Sequence, residues 1–84
     1  MLDRENVGRV NSVMADEFEL ENDALLPDAA LYEELGLDSL DSVDLVVALE
    51  KAFGFKVVRT EDEERIRAIR TMNDLYSFVE YKLG

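Results

Sequence analysis

The chain has 84 residues, 48% of them apolar, with no cysteine, tryptophan or histidine and a formal net charge of −11. That size allows one thin core, since a chain this short buries only about 60–65% of its unfolded surface. The negative charge excludes nucleic acid and anionic membrane as partners and favours basic protein surfaces, and the missing Cys and His exclude disulfides, thiolate chemistry and the commonest general base and metal ligand.

From Leu2 to Phe18, Val7, Val10, Met14 and Phe18 recur at amphipathic spacing between Asp3, Arg4, Glu5, Asn11 and Glu17, which predicts a first helix. The stretch from Glu19 to Asp38 holds the single proline, Pro27, and scattered Leu25, Leu26, Leu31, Tyr32 and Leu35. It reads as a long loop pinned by its apolar residues, with a short helical turn near Asp28 to Glu34. Asp38 and Ser39 follow Gly36 as capping side chains for a second helix from Leu40 to Phe53, stopped by Gly54. Phe55 to Arg59 connect to a third helix, which Thr60 and Glu63 would open as a capping box and which runs to Arg70. Glu61 to Glu64 suit its N-terminus and Arg65, Arg67 and Arg70 its C-terminus. Thr71 with Asp74 is a weaker start signal for a fourth helix, striped by Met72, Leu75, Tyr76, Phe78, Val79 and Leu83.

The second helix is apolar nearly all the way round. Leu45, Val46, Leu49 and Phe53 form one stripe and Leu40, Val43 and Val47 another, and a bundle this small cannot bury both. If the first faces the core, the second is left partly exposed with Asp38, Asp41, Asp44 and Glu50 as an acidic rim, the anatomy of a docking site. The alternative is that the second stripe packs under the long loop and the acids are a solvated face. Periodicity alone slightly favours the second reading.

The run Glu34-Leu35-Gly36-Leu37-Asp38-Ser39-Leu40-Asp41-Ser42-Val43-Asp44-Leu45-Val46-Val47-Ala48-Leu49-Glu50 resembles the acyl carrier protein family around its attachment site. The resemblance extends as a pattern over most of the chain. It implies an all-α fold: a four-helix bundle, three helices long and one shorter, with a long loop between helices one and two, residues 1–84 making a single carrier domain. It implies that Ser39, between Asp38 and Leu40, receives 4′-phosphopantetheine from coenzyme A. Without that motif, a serine after Asp at a helix start reads as an N-cap. The resemblance further assigns docking to Asp38, Leu40, Asp41, Val43, Asp44, Val47 and Glu50, with acids steering and aliphatics giving contact area. Phe18, Val46, Leu49, Phe53, Val57, Ile69 and Leu75 would line a space between helices able to admit an acyl chain.

The implied partners are a phosphopantetheinyl transferase and the synthases and acyl-transferring enzymes that present basic patches; no nucleic acid and no membrane is expected, and the chain is expected to be monomeric. The N-terminus has no signal-peptide pattern and no stretch approaches a spanning helix, so the expected location is cytoplasmic. The implied function is carriage of acyl intermediates of fatty acid synthesis, or of a specialised lipid or polyketide pathway, as thioesters. D-alanyl or aminoacyl cargo, and an unmodified acidic adaptor, are the alternatives.

Two departures from the family pattern stand out. Lys51 follows Glu50 where an acid is common, and Lys56, Arg59, Arg65, Arg67 and Arg70 concentrate positive charge, either paired with Glu61 to Glu64 or read by a dedicated partner. The span from Ser39 to the fourth helix is about four residues longer than is common, about one helical turn, which predicts a lengthened third helix. A calcium loop is excluded because Val43 and Leu49 stand where its glycine and bidentate Glu belong. No metal site and no enzymatic activity are expected.

Overall fold

The computed structural model describes residues 2–84, the side chain of Arg59 excepted. Four α-helices follow one another: α1 (Arg4–Phe18), α2 (Ser39–Phe53), α3 (Arg59–Arg67) and α4 (Met72–Leu83). Among the described residues there is no strand, only an isolated antiparallel bridge between Ala30 and Thr71.

α1 begins two residues later than its apolar spacing suggests, because the Asp3 carboxylate accepts the Asn6 N–H at 3.0 Å and serves as N-cap. The helix buries Val10 and Met14 and ends at Glu19, which takes up left-handed backbone with φ 54°. The long loop is ordered by burial of Leu25, Ala29, Leu31 and Leu37, each large side chain contributing about 1.5–3 kcal/mol. The expected turn forms over residues 30–35, where Glu34 and Leu35 N–H both donate to the Ala30 carbonyl. A second, 3₁₀ turn at Asn22–Ala24 has no signal in the sequence. Three backbone bonds lace the loop to the start of α4: Leu31 N–H to Arg70 O at 2.8 Å, Met72 N–H to Ala29 O at 3.1 Å and Asn73 N–H to Pro27 O at 2.8 Å. The last two satisfy amides of the first turn of α4 that the helix itself leaves free.

α2 turns Leu45 and Leu49 into the core and stops at Gly54, whose φ of 74° favours glycine. At that end the Arg9 guanidinium lies 4.7 Å from the Phe53 ring centroid and donates to the Ala52 carbonyl, tying α1 to α2. Phe53 stacks on Phe55 and Phe55 meets Phe78 edge-on, closing the bundle at the opposite end of α2 from Ser39. α4 is the most deeply set helix, burying Met72, Leu75, Tyr76, Phe78 and Val79.

The two capping patterns of the second half reverse in rank. The Thr71–Asp74 box forms in full: Thr71 Oγ1 accepts from Asp74 N–H, and Asp74 accepts from both Thr71 and Arg70 N–H. The Thr60–Glu63 box does not form. α3 starts two residues earlier than that box requires, with Val58 in place of Thr60 as N-cap, and it is Asp62 that reaches back to the Val58 N–H at 2.9 Å. α3 also ends at Arg67, three residues short of the expected Arg70, because Ile69 is drawn into the core and Arg70 joins the α4 cap.

Asp62 itself is 1% exposed and paired with Lys82 of α4 at 2.8 Å. Of the basic stretch, Arg67 pairs with Glu63 at 2.8 Å as the i,i+4 pattern suggested, while Arg65 lies over the Tyr81 ring at 3.8 Å; the Arg59 side chain lies outside the described residues. Among the described residues no helix is long and apolar enough to cross a membrane.

Candidate functional site

The start of α2 is fixed by a reciprocal pair of aspartates. Asp38 Oδ1 accepts from Leu40 and Asp41 N–H, both at 2.9 Å, and Asp41 Oδ2 accepts from Asp38 N–H at 3.0 Å. Asp38 is therefore the N-cap and Ser39 the first helical residue. Among the described residues no hydrogen bond engages the Ser39 hydroxyl, and the residue is exposed. The neighbouring hydroxyl differs: Ser42 Oγ donates to the Ser39 carbonyl at 2.7 Å, spending its proton on the helix. Two serines three residues apart are thus chemically distinct, one free and one committed.

The second apolar stripe is open to solvent: Leu40 is 75% exposed, Val43 48% and Val47 42%. The structure thus rejects burial of that stripe beneath the loop. The acids beside it are less alike than the sequence suggests. Asp38 and Asp41 are turned onto the backbone and Glu50 accepts the Val57 N–H at 2.8 Å, whereas Asp44 is exposed. Asp38, Asp41 and Glu50 thus combine a backbone bond with a place on the acidic rim of the stripe.

Two of the spaces beside α2 bear on the serine and the core. A groove of about 450 Å³ runs between α2 and α3, lined on α2 by Ser39, Ser42, Val43, Val46, Val47 and Glu50 and opposite by Val57, Glu63, Ile66 and Arg67. The α2 residues follow the i, i+3, i+4, i+7, i+8, i+11 rule for one helix face, so the groove starts at Ser39 and extends about 16 Å at 1.5 Å per residue. Behind it, the interior space is lined by Leu37, Leu45, Val46, Leu49, Ile66, Ile69, Leu75 and Phe78 among others, and measures only about 10 Å³. That is about the room for one water. Of the seven residues expected to line such a space, Val46, Leu49, Ile69 and Leu75 line the interior and Val57 lines the groove instead; Phe18 and Phe53 are half-buried and line neither. Among the described residues no group of three acids converges as a metal site would.

The fold is thus a helical bundle with an exposed serine hydroxyl at a capped helix start, beside a groove of mixed apolar and polar lining. Residues 9–61 match the model of the family described as "Phosphopantetheine attachment site". The chain is 36% identical over 85 aligned residues to an acyl carrier protein of Thermotoga maritima, all of both chains being covered. It is 33% identical to an acyl carrier protein of Thermosynechococcus vestitus over 90% of this chain and 89% of that one. The chain belongs to the acyl carrier protein family.

Membership implies a covalently attached 4′-phosphopantetheine. The start of α2 suits such a group: an unengaged, exposed hydroxyl, a helix N-terminus that favours a phosphodiester anion, and open space alongside. Proteins of this family are carriers rather than catalysts, and work with phosphopantetheinyl transferases, synthases and acyltransferases.

Proposed function

We propose that Ser39 is the attachment residue and that the chain carries acyl intermediates of fatty acid synthesis, or of a related lipid or polyketide pathway, as thioesters. The observation that carries this reading is the state of the Ser39 hydroxyl: Asp38 and Asp41 supply the cap between them, which leaves Ser39 Oγ free to attack. Transfer would form the Ser39 Oγ–phosphorus bond and break the pyrophosphate link of coenzyme A, releasing adenosine 3′,5′-bisphosphate as the leaving group, with the hydroxyl proton taken up by a base of the transferase. The bound group supplies the thiol that this Cys-free chain lacks.

The remaining roles belong to the protein's own surface. Leu40, Val43 and Val47 give contact area, while Asp38, Asp41, Asp44 and Glu50 steer basic partner surfaces to the same helix. Affinity from so small a patch is modest, and steering raises the association rate, which suits a carrier that visits several enzymes in turn. In this reading residues 1–84 act as one monomeric domain in the cytoplasm.

The test is intact mass after incubation with coenzyme A, magnesium and a broad-specificity phosphopantetheinyl transferase. One phosphopantetheine is expected on the natural chain and none on Ser39→Ala. Absence of the gain on a chain shown to be folded by circular dichroism, or an equal gain on the variant, would overturn the assignment.

A further inference from the structure

Past the groove, the open face of α2 runs on to a further hollow of about 340 Å³ at the C-terminal end of the helix, lined by Val47, Glu50, Lys51, Gly54, Phe55 and Lys56. Val47 belongs both to this hollow and to the exposed apolar stripe. Leu40, Val43, Asp44, Val47 and Lys51 stand at i, i+3, i+4, i+7 and i+11 within α2 and so share one side of it. That side begins among Asp38, Asp41 and Asp44 and ends on cations. At 1.5 Å per residue, Lys51 lies about 18 Å along the helix from Ser39 and about 10 Å from Asp44.

Both ammonium groups are available to a partner. Lys51 and Lys56 are exposed, and among the described residues neither side chain is engaged in an ion pair or hydrogen bond. The carboxylate in the same hollow, Glu50, is held on the Val57 N–H at 2.8 Å. A cation in a last turn complements the helix dipole, which accounts for Lys51 but not for Lys56, which lies beyond the helix end. Phe55 and Val57 on either side of Lys56 pack against the core while Lys56 itself stays in solvent. A polyanion is repelled by a chain of net charge −11. The occupant that fits is a single carboxylate on a protein surface that is otherwise basic.

Resting on the reading of this chain as a carrier, we propose that the hollow between Lys51 and Lys56 receives an acidic side chain of an enzyme that acts on the tethered cargo, so that the docking face is read in one direction only. The surface it fits is basic opposite Asp38, Asp41 and Asp44 and acidic about 18 Å from the place of Ser39. A helix with acids along its whole length attracts a basic surface in either orientation. With cations at one end, the reversed pose sets like charges together and is disfavoured. The transferase is a different case, because it acts on the Ser39 hydroxyl itself: a contact of about 800 Å² centred there has a radius of roughly 16 Å and stops short of the lysines.

The experiment loads the natural chain, Lys51→Glu, Lys56→Glu and the double variant with 4′-phosphopantetheine and then octanoate, with folding checked by circular dichroism and loading by intact mass. It then measures kcat and KM with the synthases and acyltransferases of the same organism that accept the natural loaded chain. Exposed charge pairs are individually modest, so each single reversal should raise KM about threefold and the double reversal about tenfold, with kcat unchanged. The gap should close as salt rises, and the rate of loading by the transferase should change by less than about twofold. Lys51→Ala with Lys56→Ala should fall between the natural chain and the double reversal, and decides the matter if the reversal does not fold. The sign of the effect is the discriminating reading: a partner that reads only acids binds the glutamate variants as well or better. An unchanged or lower KM with every enzyme would therefore sink the proposal and leave the carrier intact, whereas folded chains that gain no mass on loading would remove the carrier reading and this proposal with it.

Discussion

Replacing Lys82 by Met would strand the Asp62 carboxylate at a site only 1% exposed. Lys82 is itself 14% exposed and its Nζ lies 2.8 Å from Asp62 Oδ2, so the pair is shielded from solvent. Removing one partner of a buried pair costs about 3–5 kcal/mol; Asp62 keeps its bond from the Val58 N–H, which argues for about 3 kcal/mol. A domain of this length has roughly 4–13 kcal/mol in all, and about 3 kcal/mol corresponds to a fall in Tm of about 12 °C or more. The penalty should also depend on pH. The Asp62 carboxyl is held below its ordinary value chiefly by the hydrogen bond from Lys82, then by that from Val58, with the Lys82 and Arg65 charges adding and burial opposing. A depressed native pKa contributes stability above the unfolded-chain value, about 3.9, and loses it as pH falls through the native value. The gap between natural chain and variant is therefore full at neutral pH and narrows on acidification, as the stranded carboxylate takes up a proton. Urea unfolding followed by circular dichroism at several pH values measures it. A second variant, Asp62→Leu with Lys82→Met, should recover most of the loss, because an apolar pair leaves no stranded charge. A penalty below about 1 kcal/mol, or one equal at pH 7 and about pH 3, would refute the assignment of Asp62 as a buried, charge-paired anchor.

Asp38→Ala removes the acceptor for two amides at once, and should lower stability by about 1–2 kcal/mol, read as a shift of the urea midpoint without a change in slope. Leu40→Ala alters a side chain 75% exposed; stability should stay within about 0.5 kcal/mol while the apparent Kd for a phosphopantetheinyl transferase rises severalfold, and an unchanged Kd would remove Leu40 from the docking surface. Association with that enzyme should slow steeply as ionic strength rises, and Asp44→Asn should flatten the dependence, since Asp44 is the rim acid without a backbone bond to hold it.

Helix α2 was legible in the sequence because its signals are local. The cap at Asp38, the glycine stop and the two stripes lie within one run of residues; that the second stripe stays open was not legible there, since periodicity alone leans towards burial beneath the loop. The failures came where distant residues decide. Thr60 and Glu63 carry the letters of a capping box, but Lys82, 20 residues beyond Asp62, turns Asp62 inward and moves the helix start. Nothing in the run of four acids from Glu61 to Glu64 marks which one is buried. The same distance hid the lacing of the loop to α4, and with it the completeness of the Thr71 cap. The interior lining was half right for a related reason: a stripe says that Phe53 faces inward, but only the Phe55 and Phe78 rings determine that it packs at the end of the bundle instead of around the central space.

The three backbone bonds between the loop and the first turn of α4 clasp the chain to itself across roughly forty residues. Everything inside the clasp, α2 and α3 included, is topologically an insert in a frame made of α1, the loop and α4. Lengthening such an insert by about four residues raises the cost of closing it by only about 0.1 kcal/mol. A helical turn can thus be added or removed beside the groove, altering what the carrier's face offers a new enzyme, at little cost to the clasp itself.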